Sequence, residues 1–218
     1  MSASDSHGRE DSMLRVWGRT TSINVQKVMW AIGELGLEHE RIDVGRSFGG
    51  LETKEYGALN PNRLVPTLQD GEVVLWESNV IVRYLAARFG AGRLWPHDPA
   101  VRGVADQWMD WQQTTLLPDM RTVFWGLVRT SPEKRDQPRI DAAVNSLKAI
   151  WPRLDAHLKD RPFVAGDGLT MGDIPVGAMC HRYHALGIER APLPHLESWY
   201  RKLQARDAFR THVMIPLA

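Results

Sequence analysis

The segment GRTTSINVQKV, Gly18 to Val28, joins a short β-like run, LRVWG, to a stretch in which Val25, Val28, Met29, Ile32 and Leu35 recur at helical spacing. Ser22 and Asn24 therefore stand at a helix N-terminus, where unpaired amides and the positive helix end stabilise an anion. A hydroxyl and a carboxamide two residues apart could both donate to that anion. The position also fits Ser22 as a plain N-cap, a place serine often takes. Downstream, LNPNRLVPTLQDGEVVLWES, Leu59 to Ser78, holds a Val65-Pro66 bond just ahead of a strand. In the cis form it would turn the amide and carbonyl of Val65 toward an extended peptide; in the trans form it would simply start the strand. Glu77 and Ser78 follow at a strand-to-helix junction, where the carboxylate could pair with an ammonium group and the serine hydroxyl and amide with a carboxylate. Taken alone, the dipeptide is equally an ordinary helix start.

These residues need elements to hold them. The helix that begins at Ser22 stops at Gly36, and HERIDV, His39 to Val44, alternates as a strand should. The helix is then a crossover between two parallel strands. A polar, Gly-rich stretch from Gly45 to Asn60 holds one irregular helix. Pro66 to Gln69, a turn at Asp70-Gly71, and Glu72 to Trp76 read as a hairpin, followed by a helix presenting Val80, Ile81, Tyr84, Leu85 and Phe89 on one face. The order is βαβ and then ββα. Gly90, Gly92, Pro96, Asp98 and Pro99 crowd into a linker, and beyond Val101 the strand signals vanish. The predicted division is a polar, disordered tail over 1–12, a mixed α/β domain over 13–90, a linker over 91–100 and an all-helical domain over 101–218. Within the last, Pro152 should kink or restart its helix. Met171 to Leu186 is apolar nearly all round, as a helix central to a bundle would be.

Composition removes several classes of function. Over 218 residues the formal net charge is only +1, which argues against a protein that tracks nucleic-acid phosphates. No run of about 18 apolar residues occurs, so no membrane span is expected, and the N-terminal dozen lacks the pattern of a signal or transit sequence. A cytoplasmic protein is the expectation. Cys180 is the sole cysteine, which excludes an intramolecular disulfide and a CxxC redox pair. His181 and His184 are spaced as two ligands of a metal, yet no third ligand has matching spacing, so no metal site is predicted. Thr170-Met-Gly-Asp173 has capping-box spacing, with the carboxylate returning to the Thr170 amide.

In order and spacing, SINVQKV, the NPN-R-L-VP element, the DG hairpin ending in ES, the TMGD box and the closing PHLESWYRKLQAR resemble the cytosolic glutathione transferase family, from Leu14 to about Phe209. The bacterial branch near the theta, beta and nu classes is most similar. The resemblance implies a thioredoxin-like N-terminal domain followed by an all-α bundle, glutathione as co-substrate, and a homodimer. It places Ser22 where serine-type members keep the hydroxyl that stabilises the glutathione thiolate, with Asn24 as second candidate in a position where theta-like members often carry proline. Leu64, Val65 and Pro66 would hold the cysteinyl unit through the Val65 backbone, and Glu77 with Ser78 the γ-glutamyl end. Many relatives have a small residue and a lysine where Arg63 and Leu64 stand, so the cationic contact to the glycyl carboxylate either passes to Arg63 or is lost. Trp108, Trp111 and Trp125, with Arg121, Tyr183 and His184, are the expected walls of a hydrophobic substrate pocket, although an aromatic stripe on a helix is often core.

Free thiols titrate near pH ~8.5, so about 3% is thiolate at neutral pH; lowering the pKa by ~2 units raises the fraction about 25-fold. That shift is about 2.7 kcal/mol, within reach of one or two hydrogen bonds plus a helix terminus. The expected activity is attack of the activated thiol on small hydrophobic electrophiles, with peroxide reduction as a companion reaction. The alternative is a binding or regulatory protein that keeps the fold without turnover.

Overall fold

Strands β1 (Leu14–Trp17), β2 (His39–Ile42), β3 (Thr67–Asp70) and β4 (Val73–Trp76) form one sheet in the order β2-β1-β3-β4. The computed structural model describes residues 13–218; the tail assigned to 1–12 lies outside them. β1 pairs parallel with β2 and antiparallel with β3, as the crossover reading requires. Helix α1 (Ile23–Leu35) makes that crossover and ends on Gly36, whose left-handed φ of 67° a side chain would strain. α2 (Lys54–Leu59) and α3 (Ser78–Phe89) complete the α/β unit.

Two local expectations shift. Asp70 pairs with Val73, so the hairpin turns on Gly71-Glu72, one residue later than predicted. Asp70 is held inside the strand because its buried carboxylate accepts from the Tyr84 hydroxyl at 2.8 Å and meets Arg88 at 3.1 Å. The buried face of α3 is Ile81, Val82, Leu85 and Ala86, whereas Val80 is 43% exposed and Phe89 also faces outward. A one-residue rotation of the face is enough to exchange them, since neighbours on a helix lie about 100° apart.

The helical domain opens with α4 (Pro99–Trp111) and α5 (Leu117–Phe124), joined by a π-helical turn over Gln112–Leu116 and followed by another over Trp125–Arg129. α6 (Gln137–His157) runs through Pro152 without a break. The predicted interruption does not occur: Pro152 is exposed, and Leu147, Ile150, Trp151 and Leu154 fix the helix to the core on its other side. α7 (Asp173–Ala185) is the buried central helix, with α8 (Pro194–Gln204) and α9 (Asp207–His212) beside it. The TMGD box closes as expected, with Asp173 Oδ2 accepting from the Thr170 amide at 2.9 Å. None of the described helices is long and apolar enough to cross a membrane.

The two domains share one core. Trp30 of α1 is fully buried and meets Phe209 of α9 edge-on, 4.7 Å between ring centroids. A Cβ on Gly177 of α7 would sit 2.9 Å from the Trp30 ring, so only glycine admits this approach. Trp30 Nε1 and the Arg206 guanidinium both donate to Glu34, at 2.8 Å and 2.5–2.7 Å.

Candidate functional site

The loop after β1, the start of α1, the loop before β3 and α5 with α7 line a cleft of about 420 Å³ between the domains. Ser22 occupies the N-cap position of α1 with extended backbone, yet its side chain makes no capping bond. Of the two readings open for this residue, the positional one holds, while the hydroxyl has no hydrogen-bond partner among the described residues. Asn24 lines the same cleft one residue into the helix. The first turn of α1 carries no acidic side chain, so its positive end is unopposed locally.

The Val65-Pro66 bond is cis. Leu64 and Val65 line the cleft, and Pro66 is buried behind them. The Leu64 carbonyl is tied down by the Tyr56 hydroxyl at 2.5 Å and the Asn60 amide at 2.8 Å, which fixes the backbone immediately before Val65. Because Thr67 pairs with Trp76, the register sets Pro66 opposite Glu77, so Glu77 and Ser78 sit at the same end of the sheet as Val65. Glu77 adopts φ 69°, a left-handed backbone that exposes its side chain while Ser78 is buried at the start of α3. Neither lines the cavity itself.

Arg63 is placed elsewhere. Its guanidinium donates to the carbonyls of Leu51 at 2.6 Å and Thr53 at 2.9 Å, fastening the loop ahead of α2 instead of entering the cleft. The cleft arginines of this domain are Arg19 and Arg46. Burial, and then the neighbouring Arg46, pull Arg19 below the usual arginine range.

Of the predicted pocket wall, Arg121 and Trp125 line the cleft, with Arg121 5.8 Å from the Trp125 ring centroid. Trp108, Trp111, Tyr183 and His184 do not. Trp108 is buried with its ring centroid 4.7 Å from that of His157, and Trp111 packs on Trp108. Tyr183 stacks on Trp151, and His184 stacks on Tyr200 at 4.4 Å. All four pack on rings of α6 or α8: Trp108 and Trp111 from α4, and Tyr183 from α7, meet His157 or Trp151, and His184 meets Tyr200. The apolar wall is instead Leu117, Met120, Phe124 and Met179.

The first of two family models that match is the glutathione S-transferase N-terminal domain, over residues 21–88, and the second is its C-terminal domain, over 137–202. The chain is 44% identical to glutathione S-transferase GstB of Escherichia coli K12, covering 94% of this chain and all of that one. The chain belongs to the glutathione S-transferase family. Its fold matches, with a TM-score of 0.91 and 46% identity over 94% of this chain and 99% of the other, a theta class glutathione S-transferase from Xanthomonas axonopodis pv. citri crystallised with glutathione bound. Glutathione S-transferase 3 of Zea mays is 31% identical over 94% of this chain and 95% of its own.

Several functional candidates of this transferase escaped the sequence reading. Lys27, only 4% exposed, donates from Nζ to Asn79 Oδ1 at 3.0 Å, and Asn79 in turn donates to the Met109 carbonyl, so one buried chain links α1, α3 and α4. Burial lowers Lys27 to about 7, with Glu77 opposing the shift and Arg182 adding to it. Arg182 is 8% exposed and lines the cleft from α7. Both had a signal in the sequence: each is the lone Lys or Arg on a helix otherwise destined for burial.

Proposed function

We propose that this glutathione S-transferase ionises the glutathione thiol at the N-terminal end of α1, with the Ser22 hydroxyl as principal donor to the thiolate and Asn24 as the second. The observation that carries this is the uncommitted Ser22 hydroxyl at a helix N-terminus on the cleft wall. The backbone of Val65, with Leu64 and Pro66 around it, holds the cysteinyl unit in extended form. Glu77 and Ser78, at the same sheet end, take the γ-glutamyl ammonium and carboxylate. With Arg63 fastened to the Leu51 and Thr53 carbonyls, the glycyl carboxylate falls to Arg19 and Arg46. The electrophile then packs on the opposite wall, against Met120, Phe124 and Trp125, where proximity to the sulfur supplies the remaining acceleration.

Ser22→Ala is expected to keep glutathione affinity within a few-fold while losing up to about 25-fold in turnover at pH 7, the loss that follows from a ~2-unit rise in thiol pKa. Ultraviolet titration of the bound thiolate measures the shift directly. Unchanged turnover in both Ser22→Ala and Asn24→Ala would falsify thiolate activation by either residue.

We also infer a homodimer working in the cytoplasm. Trp76 on β4 and Val80 and Phe89 on α3 are exposed large apolar side chains, the kind of surface a second subunit's helical domain would cover. The buried thiol of Cys180 is compatible with a reducing compartment. Sedimentation at micromolar concentration checks the assembly; a monomer there would reject it.

A further inference from the structure

Five arginines line the cleft: Arg19 and Arg46 on the thioredoxin-like wall, and Arg121, Arg129 and Arg182 on the helical wall. No described carboxylate lines the same space. The arginine ion pairs among the described residues are made by Arg15, Arg41, Arg83, Arg88, Arg206 and Arg210, none of which lines this cleft. In a chain whose net charge is +1, this is a local concentration of unpaired positive charge.

Arg182, which is buried, and Arg129, which is half-buried, share one aromatic ring of its helical wall. The guanidinium carbon of Arg182 lies 4.0 Å from the centroid of the Phe124 ring, and that of Arg129 lies 5.2 Å from the same ring. Nε of each is buried without a hydrogen-bond partner among the described residues. Burial pulls Arg182 down to about 10, which leaves it cationic at neutral pH. A ring face attracts a cation but accepts none of the in-plane N–H groups, and buried charged donors left unsatisfied are costly. Two guanidinium groups sharing one ring also repel each other. An oxyanion supplies both missing things: acceptors in the guanidinium plane and a charge of opposite sign.

Building on the thiol-transfer reading above, we propose that the second substrate is an electrophile bearing a carboxylate or comparable oxyanion, held by Arg182 and Arg129 beside Phe124 while its apolar body packs on Leu117, Met120 and Trp125. Glutathione does not account for these two arginines in that reading, because its carboxylates lie along the thioredoxin-like wall near Ser78, Arg19 and Arg46. The charge also answers a chemical need. An anionic acceptor approaching a thiolate meets repulsion of roughly 3 kcal/mol at ~5 Å and an effective dielectric of ~20, which fixed guanidinium groups offset. In a substitution, the thiolate sulfur forms the new C–S bond, the electron pair of the breaking carbon–halogen bond leaves with halide, and the oxyanion is unchanged.

The test pairs a chlorodinitrobenzene bearing a para carboxylate with its neutral para carboxamide, each rate corrected for the uncatalysed reaction with glutathione. The wild-type protein is expected to prefer the acid by about 10-fold or more in kcat/KM. Arg182→Gln and Arg129→Gln should each lower the acid-to-amide ratio by about 10-fold, mainly through KM for the acid. Preference for the amide by wild type, or an equal fall for both probes in the variants, overturns the inference and leaves thiol transfer standing. Absence of turnover with either probe in the wild type also overturns the inference, while ultraviolet titration of the bound thiolate tests thiol activation separately. The wild-type ratio needs no variant, so the outcome does not hang on whether Arg182→Gln folds.

Discussion

Asp173→Ala is expected to cost about 4 kcal/mol or more of folding stability. The carboxylate is fully buried at the start of α7 and accepts four hydrogen bonds. Oδ1 takes the Val164 amide at 3.0 Å and the Trp199 indole N–H at 2.9 Å; Oδ2 takes the Thr170 amide at 2.9 Å and the Thr170 hydroxyl at 3.1 Å. Burial raises its pKa and these donors oppose the rise. Truncation leaves three N–H groups without acceptors in a dry interior, each at about 1–3 kcal/mol, and the Thr170 hydroxyl can rotate to soften only its own loss. Asp173→Asn keeps one carbonyl oxygen for Val164 and Trp199 but turns an amide N–H₂ toward the Thr170 donors, so an intermediate loss is expected. Urea denaturation followed by tryptophan fluorescence measures both. A loss below about 1 kcal/mol for the alanine variant would show that water replaces the carboxylate at no cost, contrary to this account.

The second large effect concerns pH. Lys27 titrates at about 7 in the folded chain against an ordinary value of 10.5, with burial as the main cause. Below pH 7 the folded and unfolded chains both hold the proton, and the full burial penalty is present. Between pH 7 and 10.5 the folded chain releases a proton that the unfolded chain keeps, so this residue's contribution to stability rises with pH. Between pH 6 and pH 9 the gain is about 2.7 kcal/mol. Lys27→Met lacks this dependence. Its stability relative to the parent should therefore be greatest at pH 6 and fall by about that amount by pH 9, even though Asn79 loses a partner at both. A difference between the two proteins that does not change with pH would refute the assignment.

How far the residues announce this structure depends on whether a pattern is local. Ser22 at the start of a helix, Gly36 at its end and the TMGD box are matters of adjacent backbone, and the fold keeps all three. The hairpin slid by one residue because Tyr84 and Arg88, on a later helix, hold Asp70 in the strand. Periodicity located a face on α3 but not its rotation, and placed Trp108 and Trp111 on the inner side of α4 without saying whether cleft or α6 lay there. Arg63 looked like the cation nearest the Val65 turn; its own positive φ of 53° sends the side chain back to Leu51. The cationic wall was the least legible part. Arg46, Arg129 and Arg182 are far apart in the chain, and only the packing of α5 against α7 brings the last two onto one ring.

The clamp of Glu34 by Arg206, with Trp30 set beneath Gly177, bears on how ligands enter. Swinging the domains apart would draw a buried indole into water and break a forked ion pair whose Glu34 end is buried, so opening by a hinge is costly here. Outside this clamp, the cleft wall includes the π turn at Trp125–Arg129, where the helical ladder is out of step and Trp125 is half exposed. The two walls of the cleft are then held at one spacing, so ligands meet a site whose width is set before they arrive.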